Sequence, residues 1–163
     1  MRIYIESTIP SYVVARPARD LLQAARQQLT KDWWDTKREN HDLFISQLVL
    51  DEIGFGEAGM AKRRLELVIN ISLLESTEEA RKLTRSIMDS RLLPAKAEGD
   101  GAHIALATVH KMDILLTWNC RHIANAFIGG RLRQSIGACG YSTPTICTPE
   151  ELLQDLYEQD NQQ

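Results

Sequence analysis

Ile3-Tyr4-Ile5-Glu6-Ser7-Thr8-Ile9-Pro10 decides the fold. A short apolar run, rich in β-branched residues, stops at an acid. Within two residues it gives way to hydroxyl side chains able to cap a helix, and then to a proline that a helix's first turn accepts. A strand that passes so abruptly into a helix opens a βα unit and leaves Glu6 at the strand's carboxyl end. In open α/β sheets, ligands bind in the crevice beyond those ends.

The pattern repeats along the chain. Leu43 to Ser46, Ser72 to Leu74, Ile114 to Thr117 and Thr145 to Cys147 are further short, mostly apolar runs, as expected of strands buried on both faces. Helical stretches separate them. Leu21, Ala25, Leu29 and Trp33 recur every fourth residue and predict a helix from about Ala18 to Lys37. Gln47 to Phe55 and Ala58 to Ile69 read as two helices parted by a bend at Gly54 and Gly56. Thr77, followed by Glu78 and Glu79, marks a helix start, because a hydroxyl cap and early carboxylates satisfy free backbone N–H groups. This helix should end before Pro94, and another should run from about Lys96 to Lys111. The alternation predicts a single-domain α/β/α sandwich with a central parallel sheet of four to five strands. The domain should span 1–157, with a polar tail over 158–163.

Composition narrows the function classes. At 163 residues, 44% apolar and 25% charged, the chain suits one domain with a continuous core, and no apolar run approaches the roughly 20 residues of a membrane helix. With no leader-like segment before Arg2, the expectation is a cytoplasmic protein without membrane association. Cys120, Cys139 and Cys147 are odd in number and read as reduced thiols. A net charge of −3 without a sustained basic tract restricts any nucleic-acid contact to a local patch.

Four polar residues share the places where strands end or helices begin: Glu6, Glu52, Asp100 and Asn119. Each has a plain structural reading. Glu6 complements a helix dipole, Glu52 and its neighbour Asp51 form a surface pair, and Asp100 and Asn119 serve as helix caps. Only one of Asp51 and Glu52 can face a pocket, since they stand about 100° apart on a helix. Their joint placement on one sheet edge is what argues for a site. Carboxylates about 5 Å apart repel by about 3 kcal/mol at an effective dielectric of 20, so gathering them calls for a cation. Oxygen ligands suit Mg²⁺ or Mn²⁺.

Arg121 and His122, with Arg131 and Arg133 expected on the same helix, form a face suited to RNA phosphates or simply a solvated surface. His103, three residues after Asp100, reads as a substrate contact or as a packed, hydrogen-bonded side chain. The cysteines and histidines lack the close pairs of a zinc site, and Trp33-Trp34 reads as core and interface packing rather than a base-stacking platform. A nucleotide-binding or receiver-like domain is disfavoured, because the turn after the first strand lacks the glycines that let backbone approach phosphate.

The segments Tyr4 to Tyr12, Ile45 to Ile53, Asp100 to Ala105 and Leu116 to Ile123 resemble, in order, the four motif blocks of PIN-domain nucleases, as in the VapC-like toxin ribonucleases. The resemblance spans nearly the whole chain. It implies a PIN-like fold and a Mg²⁺- or Mn²⁺-dependent endoribonuclease in which Glu6, Glu52 and Asp100 hold metal and Asn119 completes the catalytic set. Ser7 and Thr117 match hydroxyl positions lining the pocket. With His103 and Arg121 they form the expected substrate-binding group. Glu6 departs from the family's usual Asp by one methylene. The resemblance further implies a small antitoxin partner and a homodimer. The alternative is a catalytically weakened PIN-like domain acting as an RNA-binding or assembly module.

Overall fold

The computed structural model describes residues 1–153, so residues 154–157 of the expected domain and the tail over 158–163 lie outside the described residues. The sequence runs β1 (Arg2–Ile5), α1 (Thr8–Val14), α2 (Leu21–Thr36), β2 (Asp42–Ser46), α3 (Gln47–Ile53), α4 (Ala58–Val68), β3 (Ser72–Leu74), α5 (Glu78–Asp89), α6 (Glu98–Val109), β4 (Ile114–Leu116), α7 (Ala126–Ala138) and β5 (Thr145–Cys147). The strands form one five-stranded sheet in the order β3-β2-β1-β4-β5, parallel throughout. The expected α/β fold with a parallel sheet is the one observed.

β1 and β4 lie at the centre because they are apolar on both faces. Ile3, Tyr4, Ile5, Leu115 and Leu116 have no exposed surface, and each such side chain contributes about 1.5–3 kcal/mol of burial. The edge strand β3 is different, with Leu73 half exposed. On the helical layers, α1 packs against α2 and α4, and α3 against α4. Separately, α5 packs against α6 and α7.

The chain builds the sheet outward from β1 to β3 and then returns to β4 on the other side of β1. The gap between β1 and β4 is therefore the topological switch point, where the helices following the two strands diverge and leave a crevice. Glu6 follows β1 into this crevice and Thr117 follows β4. Their backbones are tied to the neighbouring strands, Glu6 N–H to the Leu116 carbonyl at 3.1 Å and Thr117 N–H to the Cys147 carbonyl at 3.1 Å.

Several boundaries differ from the sequence expectation for local reasons. The second helix begins at Leu21 rather than near Ala18, because the Asp20 side chain accepts from Gln23 N–H at 2.8 Å and caps it there. Ala18 N–H donates to Gln27 Oε1 instead. No helix starts at Asn119. Its Oδ1 accepts from His122 N–H, but residues 120–123 form only a turn, and Asn125 caps α7 by accepting from Phe127 N–H. Arg121 consequently stands in that turn, not on the helix that carries Arg131 and Arg133. Trp33 and Trp34 are buried in the core, as expected. Among the described residues, no helix is long and apolar enough to cross a membrane.

The buried centre and open edge predict unequal mutational costs. Leu116→Ala should destabilise by about 2–5 kcal/mol, the usual range for a buried Leu truncation. Leu73→Ala should stay within about 1 kcal/mol, as a half-exposed side chain loses little burial. Urea unfolding of both variants measures this, and equal losses would refute the placing of β4 inside the sheet and β3 at its edge.

Candidate metal centre

Glu6 is almost completely buried, with 3% of its surface exposed, yet among the described residues no cationic side chain pairs with its carboxylate. Hydroxyl and amide donors satisfy it. Ser7 Oγ donates to Oε1 at 2.7 Å, while Oε2 accepts from Thr8 N–H at 3.1 Å, Thr8 Oγ1 at 2.5 Å and Thr117 Oγ1 at 2.7 Å. Both threonine hydroxyls accept in turn from the chain leaving β4, Thr8 from Trp118 N–H and Thr117 from Asn119 N–H, each at 2.8 Å. One carboxylate thereby ties the exit of β1 to the exit of β4. Ser7, at the N-cap of α1, makes no side-chain cap bond; its hydroxyl serves Glu6.

Glu52 approaches from α3, while its neighbour Asp51 turns outward to accept from Gln47 Nε2. Glu52 Oε2 lies 3.0 Å from His103 Nε2, and His103 Nδ1 lies 2.8 Å from the Tyr4 hydroxyl. Tyr4 continues to Ser46 Oγ at 2.7 Å, and Ser46 accepts from Val49 N–H in the first turn of α3. This closed chain joins β1, the end of β2, α3 and α6, running through buried Ser46, Tyr4 and His103 to Glu52 at the surface. Burial pushes the Tyr4 phenol well above its ordinary value, so it stays protonated as a link in the chain. For Glu52, burial works upward, but the hydrogen bond and charge of His103 and the Ser7 hydroxyl outweigh it and hold the carboxyl below the usual range.

One oxygen each of Glu6 and Glu52 and one ring nitrogen of His103 lie within 4.8 Å of one another. The two hard oxygen donors fit a divalent ion of the Mg²⁺ or Mn²⁺ kind, and the imidazole is a donor suited to transition ions.

Asp100, on the first turn of α6, is not among the residues whose ligand atoms lie within 4.8 Å of one another, and both its oxygens are engaged. Asn119 Nδ2 donates to Oδ1 at 2.8 Å and His122 Nδ1 contacts Oδ2 at 2.7 Å. Asn119 Oδ1 also accepts from His122 N–H at 3.1 Å, so the residues after β4 fold around the Asp100 carboxylate. Asp100 does not cap α6; that place belongs to Ala97. Arg121 is exposed, and its carbonyl accepts from Asn125 Nδ2. His103 has no exposed surface, and both its nitrogens face protein.

Sequence reasoning missed Tyr4, Thr8 and Ser46 as site residues and saw His122 only as part of a basic face. A usable signal existed for Tyr4, because a phenol in a strand buried on both faces must find a hydrogen-bond partner. Nothing in the sequence identified that partner as His103.

No protein-family model matches the chain, and comparison with curated proteins finds no match. Among solved structures, a chain of VapBC2 from Rickettsia felis, in a crystal structure bound to a DNA fragment from their promoter, matches with a TM-score of 0.58. The match covers 91% of this chain and 98% of that one, at 11% identity. The fold is PIN-like. At that identity the likeness concerns the fold alone, and the argument for chemistry rests on the side chains that this PIN-like sheet gathers at its carboxyl edge.

The depressed Glu52 carboxyl gives a pH signature. A group whose folded value lies below its unfolded value stabilises the fold above the unfolded value, and that stability is lost as pH falls through the folded one. In metal-free buffer, Glu52→Gln should therefore flatten the decline in urea stability below about pH 5 relative to the parent protein. Superimposable acid limbs would show that His103 does not favour the ionised carboxylate.

Proposed function

We propose that this chain is a Mg²⁺- or Mn²⁺-dependent endoribonuclease. The observation that carries the reading is the convergence of Glu6, Glu52 and His103 at the switch point, with Asp100 and Asn119 alongside. Carboxylates drawn together from separate elements, one of them buried, repel one another, and a bound cation offsets that cost. Glu6, Glu52 and Asp100 would hold the metal. When bound, such an ion lowers the pKa of water, polarises a phosphoryl oxygen and stabilises the leaving oxygen.

The protein's own part is positioning. Ser7, Thr8 and Thr117 fix the Glu6 carboxylate, His103 fixes Glu52, and Asn119 with His122 fixes Asp100. Fixed donors need no reorganisation at the moment of reaction. Arg121, exposed in the turn after Asn119, is placed for a phosphate of the RNA backbone. Ser7 and Thr117 line the pocket, although in the metal-free arrangement both hydroxyls donate to Glu6.

The matched structure is of VapBC2 with DNA from their promoter. By analogy, we propose that this chain is the toxin of a cytoplasmic pair, inhibited by a small antitoxin, and that it acts as a homodimer. A second reading has an observation in its favour. Glu6 already accepts from four donors, so its carboxylate could be a purely structural tie in a PIN-like domain that binds RNA or an assembly partner without cutting.

Purified protein should cleave RNA only with Mg²⁺ or Mn²⁺ present. Glu52→Gln and Asp100→Asn should each lower the rate on the order of 100-fold, since each removes charge stabilisation worth several kcal/mol. Cleavage insensitive to chelator, or undiminished in both variants, would reject the nuclease reading. RNA binding without metal uptake would favour the structural tie.

A further inference from the structure

The nitrogen in the cluster points further than the acids. An octahedral ion with bonds of about 2.1 Å sets neighbouring ligands about 3.0 Å apart and opposite ones about 4.2 Å apart. His103 Nε2 and Glu52 Oε2 stand 3.0 Å apart, and a Glu6 oxygen completes a set contained within 4.8 Å. Little movement separates this arrangement from a ligand set.

For Nε2 to offer a lone pair, its proton must reside on Nδ1 instead, and the buried neighbours allow both arrangements. With the proton on Nε2, the ring donates to Glu52 and accepts at Nδ1 from the Tyr4 hydroxyl. With the proton on Nδ1, the ring donates to the Tyr4 oxygen, and Tyr4 turns its own proton to Ser46 Oγ at 2.7 Å. Tyr4 is both donor and acceptor, so it serves Nδ1 in either tautomer; with the proton on Nδ1, Nε2 and the Glu52 carboxylate face each other as two acceptors at 3.0 Å, a contact that a cation between them would satisfy. A hydrogen bond at the far nitrogen is also what fixes the tautomer and orientation of metal-binding histidines generally. Ser46 and Tyr4 supply it here.

We propose that His103 Nε2 is a metal ligand alongside the carboxylates, making this an imidazole-containing site that takes Mn²⁺ in preference to Mg²⁺. Imidazole suits transition ions, whereas Mg²⁺ favours oxygen and holds its waters. This rests on the metal-dependent reading above but does not restate it, since acids alone would serve that reading equally well.

Pulsed electron paramagnetic resonance of the Mn²⁺-loaded protein tests the proposal without reference to activity. The expected spectrum carries the coupling of a directly bonded ¹⁴N nucleus, converted to ¹⁵N in protein made with ¹⁵N-histidine. His103→Gln should lose the coupling and His122→Gln should keep it. Calorimetry should show Mn²⁺ favoured over Mg²⁺ by at least about tenfold, and His103→Gln should lose about 10–100-fold in Mn²⁺ affinity. Because His103 is buried and its variant could fold poorly, Tyr4→Phe provides a second measure. It keeps the ring's shape, removes the Nδ1 partner, and should weaken Mn²⁺ more than Mg²⁺. Mn²⁺ bound without a nitrogen coupling overturns the imidazole ligand and leaves the nuclease reading standing. No Mn²⁺ binding at all overturns both.

Discussion

The carboxylate of Glu6 is the tie on which the rest of the site depends. It sits where the sheet changes direction, and the helices that cover β1 and β4 leave that point uncovered. Without a polar group reaching across, the N–H groups leaving β4 would open into the crevice. Instead Trp118 N–H and Asn119 N–H donate to two threonine hydroxyls, and both hydroxyls donate to Glu6. The hydrogens run toward the acid, so every oxygen on the path both accepts and donates. Trp118 is held at its other end as well, its indole N–H donating to Thr30 Oγ1 on α2 at 2.7 Å. The path of the chain after β4, and with it the place of Asn119, therefore follows from one buried acid.

A second constraint brings α6 to the same edge. Gly101 lets this helix lie close against α5, where an added Cβ would fall 3.0 Å from Met88 Sδ and 3.7 Å from Ile87 Cγ2 and Leu93 Cδ1. Close approach fixes the height of the first turn of α6, which carries Asp100 beside Asn119 and, one turn on, His103 beside Glu52. The spacing of three residues puts both side chains on one helix face. Asp100 meets the residues after β4 and His103 meets α3, so one short helix serves both halves of the site.

The parallel sheet was legible because each strand is a short apolar run with helical sequence between it and the next, and the bounds of β3 and β5 could be read to the residue. Helix starts were less legible wherever two residues competed for one cap. Asp20 prevailed over the stretch from Ala18, and Asn125 over Asn119, because the competing groups had partners distant in sequence. The same distance hid the relay through Tyr4. Its links to Ser46 and His103 span 42 and 99 residues, and no local pattern encodes a pairing at such range. Strand-end acids can be foreseen from one segment at a time, whereas the groups that orient them depend on the finished packing.

That distinction bears on the extra methylene of Glu6. A side chain at this position must reach the hydroxyl beyond β4 and still turn an oxygen toward Glu52. In Glu6 the two duties are divided between its oxygens. Oε2 takes Thr8 and Thr117, three donors in all, and has no capacity to spare. Oε1 takes only the Ser7 hydroxyl and keeps a lone pair available. The Ser7 hydroxyl also helps to hold the Glu52 carboxyl below its usual range, so it favours the ionised form of one acid while donating to the other. A cation arriving between them would need to displace only that single rotatable donor from Glu6, while the bonds that join β1 to β4 stay intact. The longer side chain thus allows the structural tie and a ligand oxygen to coexist in one residue.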